Sequence, residues 1–419
     1  MNPAAQEPVP GPAPEGTPLY VHLPFCTAKC HYCDFFSVAD EGQDIGGMID
    51  AILAEAELRA PRRPRTVFFG GGTPSLLSER ELTRLLDGLD ALTGFRASAL
   101  EVTAECNPES LDRAKARTLL GLGVRRLSIG VQSLRPEVLE LFGRVHSVDD
   151  SFRAYEAARA AGVQHVNLDL IFAVPGQSVE EWESDLSRVL ALGPDHLAAY
   201  NLAFEEETRF KRWLDEGRLV AAPEEVELAM FAATRRIAEG FGLAPYEISN
   251  YAAPGEECAH NVNYWRNGPY LGLGPSAVSK VGQVRAGNPR GIHAYRRFVA
   301  AGATAFAFGE CLTPRARLAE TWWLGLRLAE GVEPAAARAT AGCVEDPCPA
   351  VHIAEGLAAT GHLELAEGRY RLTERGRPVA DAVAAEFLTK LPAVPAAGGA
   401  PAPARTTGRP DRSPLGAAG

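Results

Sequence analysis

The 419-residue chain has no run of about eighteen apolar residues, so nothing in it is long enough to span a membrane. Positive charge is also scarce: 42 Lys and Arg stand against 53 Asp and Glu, and the net charge of -11 argues against nucleic acid as a partner. Residues 1–16 hold no Lys or Arg before an apolar stretch, unlike a signal peptide or a mitochondrial leader. The sequence predicts a globular, cytoplasmic protein.

Cysteine is rare too, with eight residues in the chain, and three of them, Cys26, Cys30 and Cys33, lie in one short stretch. This distribution favours a reducing compartment and a metal site over a disulfide framework. Three thiolates satisfy three irons of a cubane 4Fe-4S cluster and leave the fourth iron open. The alternative is zinc, which requires four ligands, and only His31 is nearby. The other cysteines are interpreted as ordinary thiols: Cys106, Cys258, Cys311, Cys343 and Cys348.

The residues around these cysteines resemble the radical S-adenosylmethionine (SAM) family, through Cys26-x-x-x-Cys30-x-x-Cys33 with Tyr32 before the last cysteine. In that family the open iron binds the methionyl amino and carboxylate groups of SAM, and an electron from the cluster cleaves SAM to a 5'-deoxyadenosyl radical. The preceding pattern, Tyr20-x-His-x-Pro-Phe, narrows the resemblance to the branch of oxygen-independent coproporphyrinogen III dehydrogenase and the HemW heme chaperones. The resemblance covers residues 18–385 and implies an electron donor for the cluster.

Strand-like apolar runs alternate with helical patterns up to about residue 200, which predicts an α/β fold with a parallel sheet. Periodicity cannot distinguish a barrel from a doubly wound sheet, and the resemblance implies an open, partial (β/α)6 radical-SAM barrel. In such barrels the chemistry gathers at the C-terminal ends of the strands. The predicted strands cover residues 19–22, 66–69, 100–104, 126–129, 165–171 and 196–202, and helices are predicted over 79–92 and 178–192.

Composition, pattern and the resemblance together predict four parts. The resemblance implies that residues 17–245 form the barrel domain and that 246–390 form a C-terminal region of the HemW and dehydrogenase type. Residues 1–16 and 391–419 are Pro-, Ala- and Gly-rich tails that are predicted to be disordered. At the junction, residues 203–245 are predicted to be helical and residues 246–291 to form ordered loop with short strands.

Within the C-terminal region, residues 313–329 are predicted to form a helix that Trp322 and Trp323 pack down. A helix over 350–359, a hairpin over 363–372 and a helix over 378–388 predict a small α+β, winged-helix-like module. The helix over 350–359 has no Lys or Arg to meet phosphates, so the module is interpreted as structural or protein-facing.

A glycine triplet follows the second predicted strand, in Gly70-Gly71-Gly72-Thr73-Pro74. Glycines let backbone groups approach a ligand closely, although a tight turn between strand and helix explains them as well. The resemblance implies that Gly71, Gly72 and Thr73 contact the methionyl amine of SAM.

Four further polar residues match SAM-binding positions of the family. A carboxylate at Glu105 suits the cationic sulfonium, and its alternatives are a salt bridge or a helix cap. Gln132, Arg144 and Asp169 match positions that hold the adenosine hydroxyls and the carboxylate of SAM. Asp169 lies in an apolar strand and needs a buried partner to offset its desolvation. Three more residues match cofactor contacts, with core packing as the alternative: Tyr20, Tyr32 and Ala203.

Two features separate the members of the branch. The dehydrogenases have a fourth cysteine two residues after Cys33, where this chain has Phe35. The stretch His260-Asn-Val-Asn-Tyr264-Trp265 resembles a HemW signature and implies a heme site. There the imidazole of His260 is an axial ligand, beside Asn261 and two aromatic rings that could stack on a porphyrin. The alternative is a structural loop. The remaining histidines considered are interpreted as structural: His22, His31, His146, His165 and His293.

The resemblance therefore implies a heme chaperone that binds a 4Fe-4S cluster, SAM and heme, and hands heme to an unidentified acceptor protein. Its rival is an enzyme that oxidatively decarboxylates coproporphyrinogen III. Phe35 and the stretch that begins at His260 argue against the rival. A radical enzyme for an unrelated substrate is a third alternative.

Overall fold

A computed structural model of the chain describes residues 9–345 and 347–391. Residues 1–8 of the predicted N-terminal tail and 392–419 of the predicted C-terminal tail lie outside these residues. Residues 14–16, which fall in the predicted N-terminal tail, are attached to the body, since Gly16 donates to the carbonyl of Arg62 and accepts from the N–H of Arg65. Among the described residues, no helix combines the length and apolar character needed to cross a membrane.

The strands range from two to eight residues, and the longest belong to one central sheet. They are β1 (Leu19–Leu23), β2 (Phe25–Cys26), β3 (Val38–Ala39), β4 (Thr66–Gly71), β5 (Glu101–Cys106), β6 (Arg126–Gln132), β7 (His165–Phe172), β8 (His196–Asn201), β9 (Ala244–Pro245), β10 (Asn250–Ala252), β11 (Leu271–Leu273), β12 (Val278–Val281), β13 (Val284–Gly287), β14 (Phe308–Cys311), β15 (Leu363–Ala366) and β16 (Arg369–Leu372).

The helices fill the connections and form most of the C-terminal module. They are α1 (Ile45–Arg59), α2 (Glu79–Thr93), α3 (Phe95–Ser98), α4 (Arg113–Gly121), α5 (Pro136–Phe142), α6 (Val148–Ala161), α7 (Val179–Leu190), α8 (Arg209–Asp215), α9 (Glu224–Gly240), α10 (Ala259–Trp265), α11 (Ile292–Ala300), α12 (Pro314–Gly325), α13 (Pro334–Ala341), α14 (Pro349–Ala359) and α15 (Ala380–Lys390).

The central sheet has nine strands in the order β11-β1-β4-β5-β6-β7-β8-β10-β9. Every pairing from β11 to β8 is parallel, whereas β10 and β9 are antiparallel at the far edge. The six predicted strands are therefore confirmed, in chain order, as β1 and β4 to β8. The sheet also uses β10 and β11, which come from the chain beyond the predicted domain boundary at residue 245.

Local sequence signals explain where the connecting helices begin and end. In α2, the Ser78 hydroxyl accepts from the Glu81 N–H while the Glu81 carboxylate accepts from the Ser78 N–H, so two otherwise unpaired donors of the first turn are satisfied. The helix ends at Gly94, which has φ of 71°, a left-handed conformation that glycine adopts without strain. The same reciprocal cap, from Ser178 and Glu181, begins α7.

The C-terminal module has its own hydrophobic core. Trp322 of α12 is fully buried and stacks on Phe387 of α15 with ring centroids 4.9 Å apart, which confirms the predicted packing role of this tryptophan. The predicted helix, hairpin and helix are present as α14, β15 with β16, and α15. The region between the two cores differs from the prediction, because residues 259–265 form the helix α10 and not a loop.

Candidate functional site

The cysteine loop leaves the C-terminal end of β1 and is held by His31, which lies between Cys30 and Cys33. The His31 Nδ1–H donates to the Leu141 carbonyl at 2.9 Å, and its Nε2 accepts from Arg209 at 2.9 Å. The backbone of His31 donates to Phe142 and accepts from Phe210. With both ring nitrogens used, His31 has a structural role and no free nitrogen for a zinc ion.

The three thiols of the loop are half-buried and lie close enough to influence one another. Burial, with Cys30 as the next largest cause, raises the pKa of Cys33 to about 12. Hydrogen bonds reach two of the sulfurs, from Thr73 Oγ1 to Cys26 Sγ and from Arg144 Nη1 to Cys30 Sγ, both at 3.5 Å. A group of thiols with polar donors aimed at the sulfurs fits an iron–sulfur cluster, whose properties depend on such hydrogen bonds.

Among the described residues, no three His, Cys, Asp or Glu side chains converge tightly enough to surround one metal ion. A cubane cluster does not require that convergence, because each cysteine binds a different iron.

The glycine triplet packs against the beginning of the cysteine loop. Gly72 donates to the Leu23 carbonyl and Thr73 to the Phe25 carbonyl, both at 2.7 Å. A Cβ on Gly72 would lie 2.5 Å from each of those carbonyl oxygens, and a Cβ on Gly71 would lie 2.3 Å from the ring of His22. Close approach of two backbone segments therefore explains the absence of side chains here. A contact between these residues and SAM stays a prediction.

His22 joins β1 to the far end of the cysteine loop. Its Nε2–H donates to the Phe36 carbonyl at 2.8 Å, so its Nδ1 accepts from the Tyr20 hydroxyl at 3.0 Å. Tyr20 is buried, and Tyr32 packs edge-on against Phe142 with ring centroids 4.8 Å apart. These contacts give both tyrosines a packing role.

Two carboxylates line the same cavity inside the barrel, Glu105 near the C-terminal end of β5 and Asp169 in the middle of β7. The Glu105 carboxylate accepts from the Gly71 N–H at 3.0 Å. Burial raises the pKa of Glu105 well above its ordinary value, and the charge of Asp169 adds to the rise. Burial also raises the pKa of Asp169, to about 6. The predicted buried partner of Asp169 is confirmed: Ser128 and Asn167 donate to its carboxylate at 3.1 and 2.5 Å.

Arg144 connects the interior of the barrel to the cysteine loop. Its Nη2 donates to Asn107 Oδ1 at 2.8 Å and to the Gly130 carbonyl at 2.9 Å, while Nη1 reaches Cys30. Asn107 in turn donates to Thr73 Oγ1 at 2.9 Å, so it links two predicted SAM contacts. Sequence reasoning missed Asn107, although its place just after β5, two residues beyond Glu105, was a usable signal.

The other two predicted SAM contacts also follow strand ends. Gln132, at the end of β6, has φ of 64° and lies at an irregularity in the pairing of β6 with β7. Such a conformation is uncommon for a residue other than glycine, and it is often found at ligand sites. Ala203 follows β8 and is exposed. Their contacts with SAM remain predictions.

The stretch that was predicted to hold heme is buried in the helix α10. His260 has no exposed surface, and burial lowers its pKa to about 3, so its ring is neutral. Its Nδ1 is 2.7 Å from the Thr66 hydroxyl and its Nε2 is 3.2 Å from the Tyr264 hydroxyl. Both ring nitrogens are therefore occupied, and this arrangement does not fit an axial heme ligand. Ligation by His260 remains a prediction that requires α10 to open.

The neighbours of His260 are also enclosed. Tyr264 packs edge-on against Tyr270, with ring centroids 4.7 Å apart, and Trp265 lies under the guanidinium of Arg327 at 4.6 Å. Asn261 is 4% exposed and donates to a tyrosine hydroxyl inside the barrel. The structural alternative thus describes this segment better, with helix in place of loop.

A buried acid holds the beginning of α10. The Glu101 carboxylate accepts from the N–H groups of Ala259 and His260 at 3.0 and 3.1 Å and pairs with Arg126 at 3.3 Å. It replaces the missing side-chain cap of this short helix, because Cys258 provides none. Sequence reasoning missed Glu101, which lies more than 150 residues before α10.

Known proteins are similar to most of this chain. The profile of the Radical SAM superfamily matches residues 20–189. A heme chaperone HemW from Bacillus subtilis (strain 168) is 33% identical over 377 residues, which cover 89% of this chain and 99% of that protein. A heme chaperone HemW from Mycobacterium tuberculosis (strain CDC 1551 / Oshkosh) is 36% identical over 392 residues, 91% of this chain and 97% of the other.

Among solved structures, coproporphyrinogen III oxidase (HemN) from Escherichia coli, described as a radical SAM enzyme, superposes with a TM-score of 0.77. The alignment covers 90% of this chain and 91% of the enzyme at 24% sequence identity. At that identity the likeness establishes the shared fold.

Proposed function

Because the chain belongs to the radical SAM superfamily and, within it, to the HemW family, we propose that it is a heme chaperone. It binds a 4Fe-4S cluster, SAM and heme, and passes the heme to an acceptor protein in the cytoplasm. The relatives that are similar over nearly their whole length are named heme chaperones, which supports this choice over a catalyst of unrelated chemistry.

One observation carries the cofactor part of the proposal. Hydrogen bonds link the cysteine loop to Arg144 and, through Asn107, to Thr73 of the glycine segment, whose Gly71 donates to Glu105. Asp169 lies close enough to Glu105 and Arg144 to interact with both electrostatically. Cys26, Cys30 and Cys33 would hold the cluster and would leave one iron open to SAM. When bound, cluster and SAM together supply an electron and a source of a carbon radical. Asp169 and Glu105 would accept hydrogen bonds from SAM and offset its positive charge.

The chemistry of the loop argues against the dehydrogenase. Phe35 stands where the dehydrogenase pattern has a fourth cysteine, so this chain has no thiol to supply there. Shared fold with the Escherichia coli enzyme does not oppose this conclusion, since one fold hosts many functions.

The heme part of the proposal rests on family membership. His260 does not fit a ligand in its present surroundings, so we assign no axial residue. The acceptor and the electron donor are proposed as partners and are identified only by their roles.

The decisive experiment is anaerobic reconstitution of the protein, followed by parallel heme titration and coproporphyrinogen III turnover with reductant and excess SAM. We expect heme uptake with a Soret band and no protoporphyrinogen. Stoichiometric protoporphyrinogen would overturn the chaperone proposal and promote the dehydrogenase. A reconstituted protein with neither heme uptake nor turnover would overturn both.

A further inference from the structure

A chain of hydrogen bonds crosses the interior of the barrel and ends on Asp169. It begins at Asn261 of α10, whose Nδ2 is 3.0 Å from the Tyr246 hydroxyl. That hydroxyl is 3.0 Å from His196 Nε2, and His196 Nδ1 is 2.6 Å from Asn167 Oδ1. The amide of Asn167 then reaches the Asp169 carboxylate at 2.5 Å. The helix α10 is thus connected to Asp169, a proposed SAM contact, through the side chains of Asn261, Tyr246, His196 and Asn167.

The donor and acceptor properties of these groups fix the direction of every hydrogen bond in the series. Burial lowers the pKa of His196 well below its ordinary value, so the ring carries one proton. Because Asn167 Oδ1 can only accept, that proton lies on Nδ1, and Nε2 accepts from Tyr246. The Tyr246 oxygen is then free to accept from Asn261 Nδ2. The opposite orientation of the Asn167 amide would set its oxygen against the Asp169 carboxylate. Every donor therefore points toward Asp169.

The surroundings make each link of this chain effective. Asn167, His196 and Asn261 are all less than a tenth exposed, and in such a low-dielectric interior successive hydrogen bonds polarise one another. The other groups that face Asp169 are Glu105 and Cys106 on β5, Ser128 on β6, Tyr200 on β8, and Arg144 after α5. Of these, Ser128 and Arg144 favour the ionised carboxylate of Asp169, and the charge of Asp169 in turn raises the pKa of Glu105.

We propose that His196, Tyr246 and Asn261 are positioning residues of the SAM site, which act through Asn167 to hold Asp169 ionised and oriented. The inference rests on the proposed function in one respect, namely that Asp169 contacts SAM. It gives the His-Asn-x-x-Tyr-Trp stretch a role in cofactor binding through Asn261, distinct from the heme ligation that the sequence suggested for His260.

The test measures SAM affinity in the cluster-loaded protein by isothermal titration between pH 5 and pH 8. Tyr246→Phe removes one hydroxyl and breaks the chain in its middle. We expect its dissociation constant for SAM to rise about 3- to 10-fold, the range of one lost hydrogen bond. The midpoint of the pH dependence should move upward relative to the parent, because donors that stabilise the carboxylate lower the pKa of Asp169.

A matched control is available in the same region. Tyr264→Phe also removes one buried hydroxyl, but that hydroxyl bonds to His260 outside the chain. It should leave the SAM affinity and the pH midpoint unchanged. A second pair is Asn261→Leu and Asn263→Leu on α10, of which only the first should weaken SAM binding. If Tyr246→Phe folds poorly, this second pair of variants tests the same positioning role.

The histidine separates a positioning role from general packing. His196→Asn keeps an amide N–H where Nδ1 lies, so it retains the donor to Asn167, whereas His196→Leu removes it. The asparagine variant should recover part of the SAM affinity that the leucine variant loses. Equal affinity in these two variants would assign His196 to packing alone.

The variant Asp169→Asn shows whether a negative result contradicts only the positioning role or also the assignment of Asp169 to SAM binding. If Asp169→Asn weakens SAM binding while Tyr246→Phe and Asn261→Leu match the parent in affinity and pH midpoint, the positioning role is wrong and the SAM site stands. If Asp169→Asn binds SAM as the parent does, the assignment of Asp169 to SAM is wrong, and the positioning role fails with it.

Discussion

The cysteine loop and the helix α10 both carry residue types that bind metals and cofactors, yet these residues differ in burial and in hydrogen bonding. The thiols of the loop are half-buried and receive long hydrogen bonds from two side chains. In α10 the imidazole of His260 is fully enclosed, and both of its nitrogens have partners within the protein. The two motifs therefore differ in how far the protein itself already satisfies their donor atoms, and the assignment of particular residues to cluster and heme stays a prediction.

The largest effect expected from this difference is at the loop. Cys30→Ala should abolish the cluster completely, because three thiolates are the minimum that holds a cubane with one open iron. Iron and sulfide analysis of the anaerobically reconstituted protein measures this directly, with about four irons expected in the parent.

Cys311→Ala is the matched control, since Cys311 is an exposed thiol on β14 at a distance in sequence from the loop. It should retain the full cluster. A complete cluster in Cys30→Ala, or one tightly bound zinc in the parent, would refute the assignment of the loop.

The next largest effect is expected at α10, and it concerns stability. His260→Ala leaves a cavity and deprives the hydroxyls of Thr66 and Tyr264 of their partner. We expect the free energy of unfolding to fall by ~2–4 kcal/mol. Urea denaturation at neutral pH measures this loss, and the exposed His293→Ala should change it by less than about 0.5 kcal/mol.

The stability and the heme binding of His260→Ala together distinguish a heme ligand from a residue that only packs. If His260→Ala keeps the stability of the parent but loses the Soret band of bound heme, the residue is a heme ligand and α10 opens in solution. A destabilised variant that still takes up heme would support the packing role.

Sequence reasoning succeeded where the signal is local. Six parallel strands and the helix, hairpin and helix of the C-terminal module follow from apolar runs and from caps such as Ser78 with Glu81, which act over a few residues. The three cysteines are also local, since eight residues contain them all. Each of these features could be predicted before any contact was known.

The rest depends on contacts between distant parts of the chain. The enclosure of His260 requires Thr66 and Glu101, which are more than 150 residues away, to meet α10. Strands β10 and β11 join the central sheet at or next to its edges, from a Gly-, Asn- and aromatic-rich segment that was predicted to form ordered loop with short strands, whose sheet partners the sequence did not show. Asn107 becomes important only because Thr73 and Arg144 flank it in space. Periodicity in one sequence does not contain this information.

A smaller effect is expected where the glycine triplet meets the cysteine loop. In Gly72→Ala the new Cβ would lie 2.5 Å from two backbone carbonyl oxygens, so the two segments must separate. We expect a loss of ~1–3 kcal/mol in the free energy of unfolding and weaker retention of the cluster.

Gly121→Ala provides the comparison for Gly72→Ala, because nothing lies within 4 Å of a Cβ at this helix end. Thermal unfolding should show little change or a slight gain for Gly121→Ala. Equal unfolding temperatures for the two variants would show that the loop accommodates a side chain, and would remove the steric reason given for Gly72.

The smallest effect expected is the pH dependence of the contribution from His260, and it tests the enclosure of α10 most directly. The folded pKa of about 3 lies below the ordinary value of 6.5, so between these values the unfolded chain binds a proton that the folded protein does not. Stability from the neutral ring is therefore complete above pH 6.5 and declines as the pH falls toward 3.

His260→Ala lacks this decline. Consequently, the difference in unfolding free energy between parent and variant should shrink by ~1 kcal/mol between pH 7 and pH 5.5, because one pH unit corresponds to at most about 1.4 kcal/mol for one group. Other titrating groups, including His22 and His196, are common to both proteins and cancel in the difference. Urea denaturation of both proteins across this range measures the change. A difference that stays constant would mean that His260 titrates in the folded protein as it does in the unfolded chain. Its ring would then be open to solvent, and the contrast between α10 and the cysteine loop would fail.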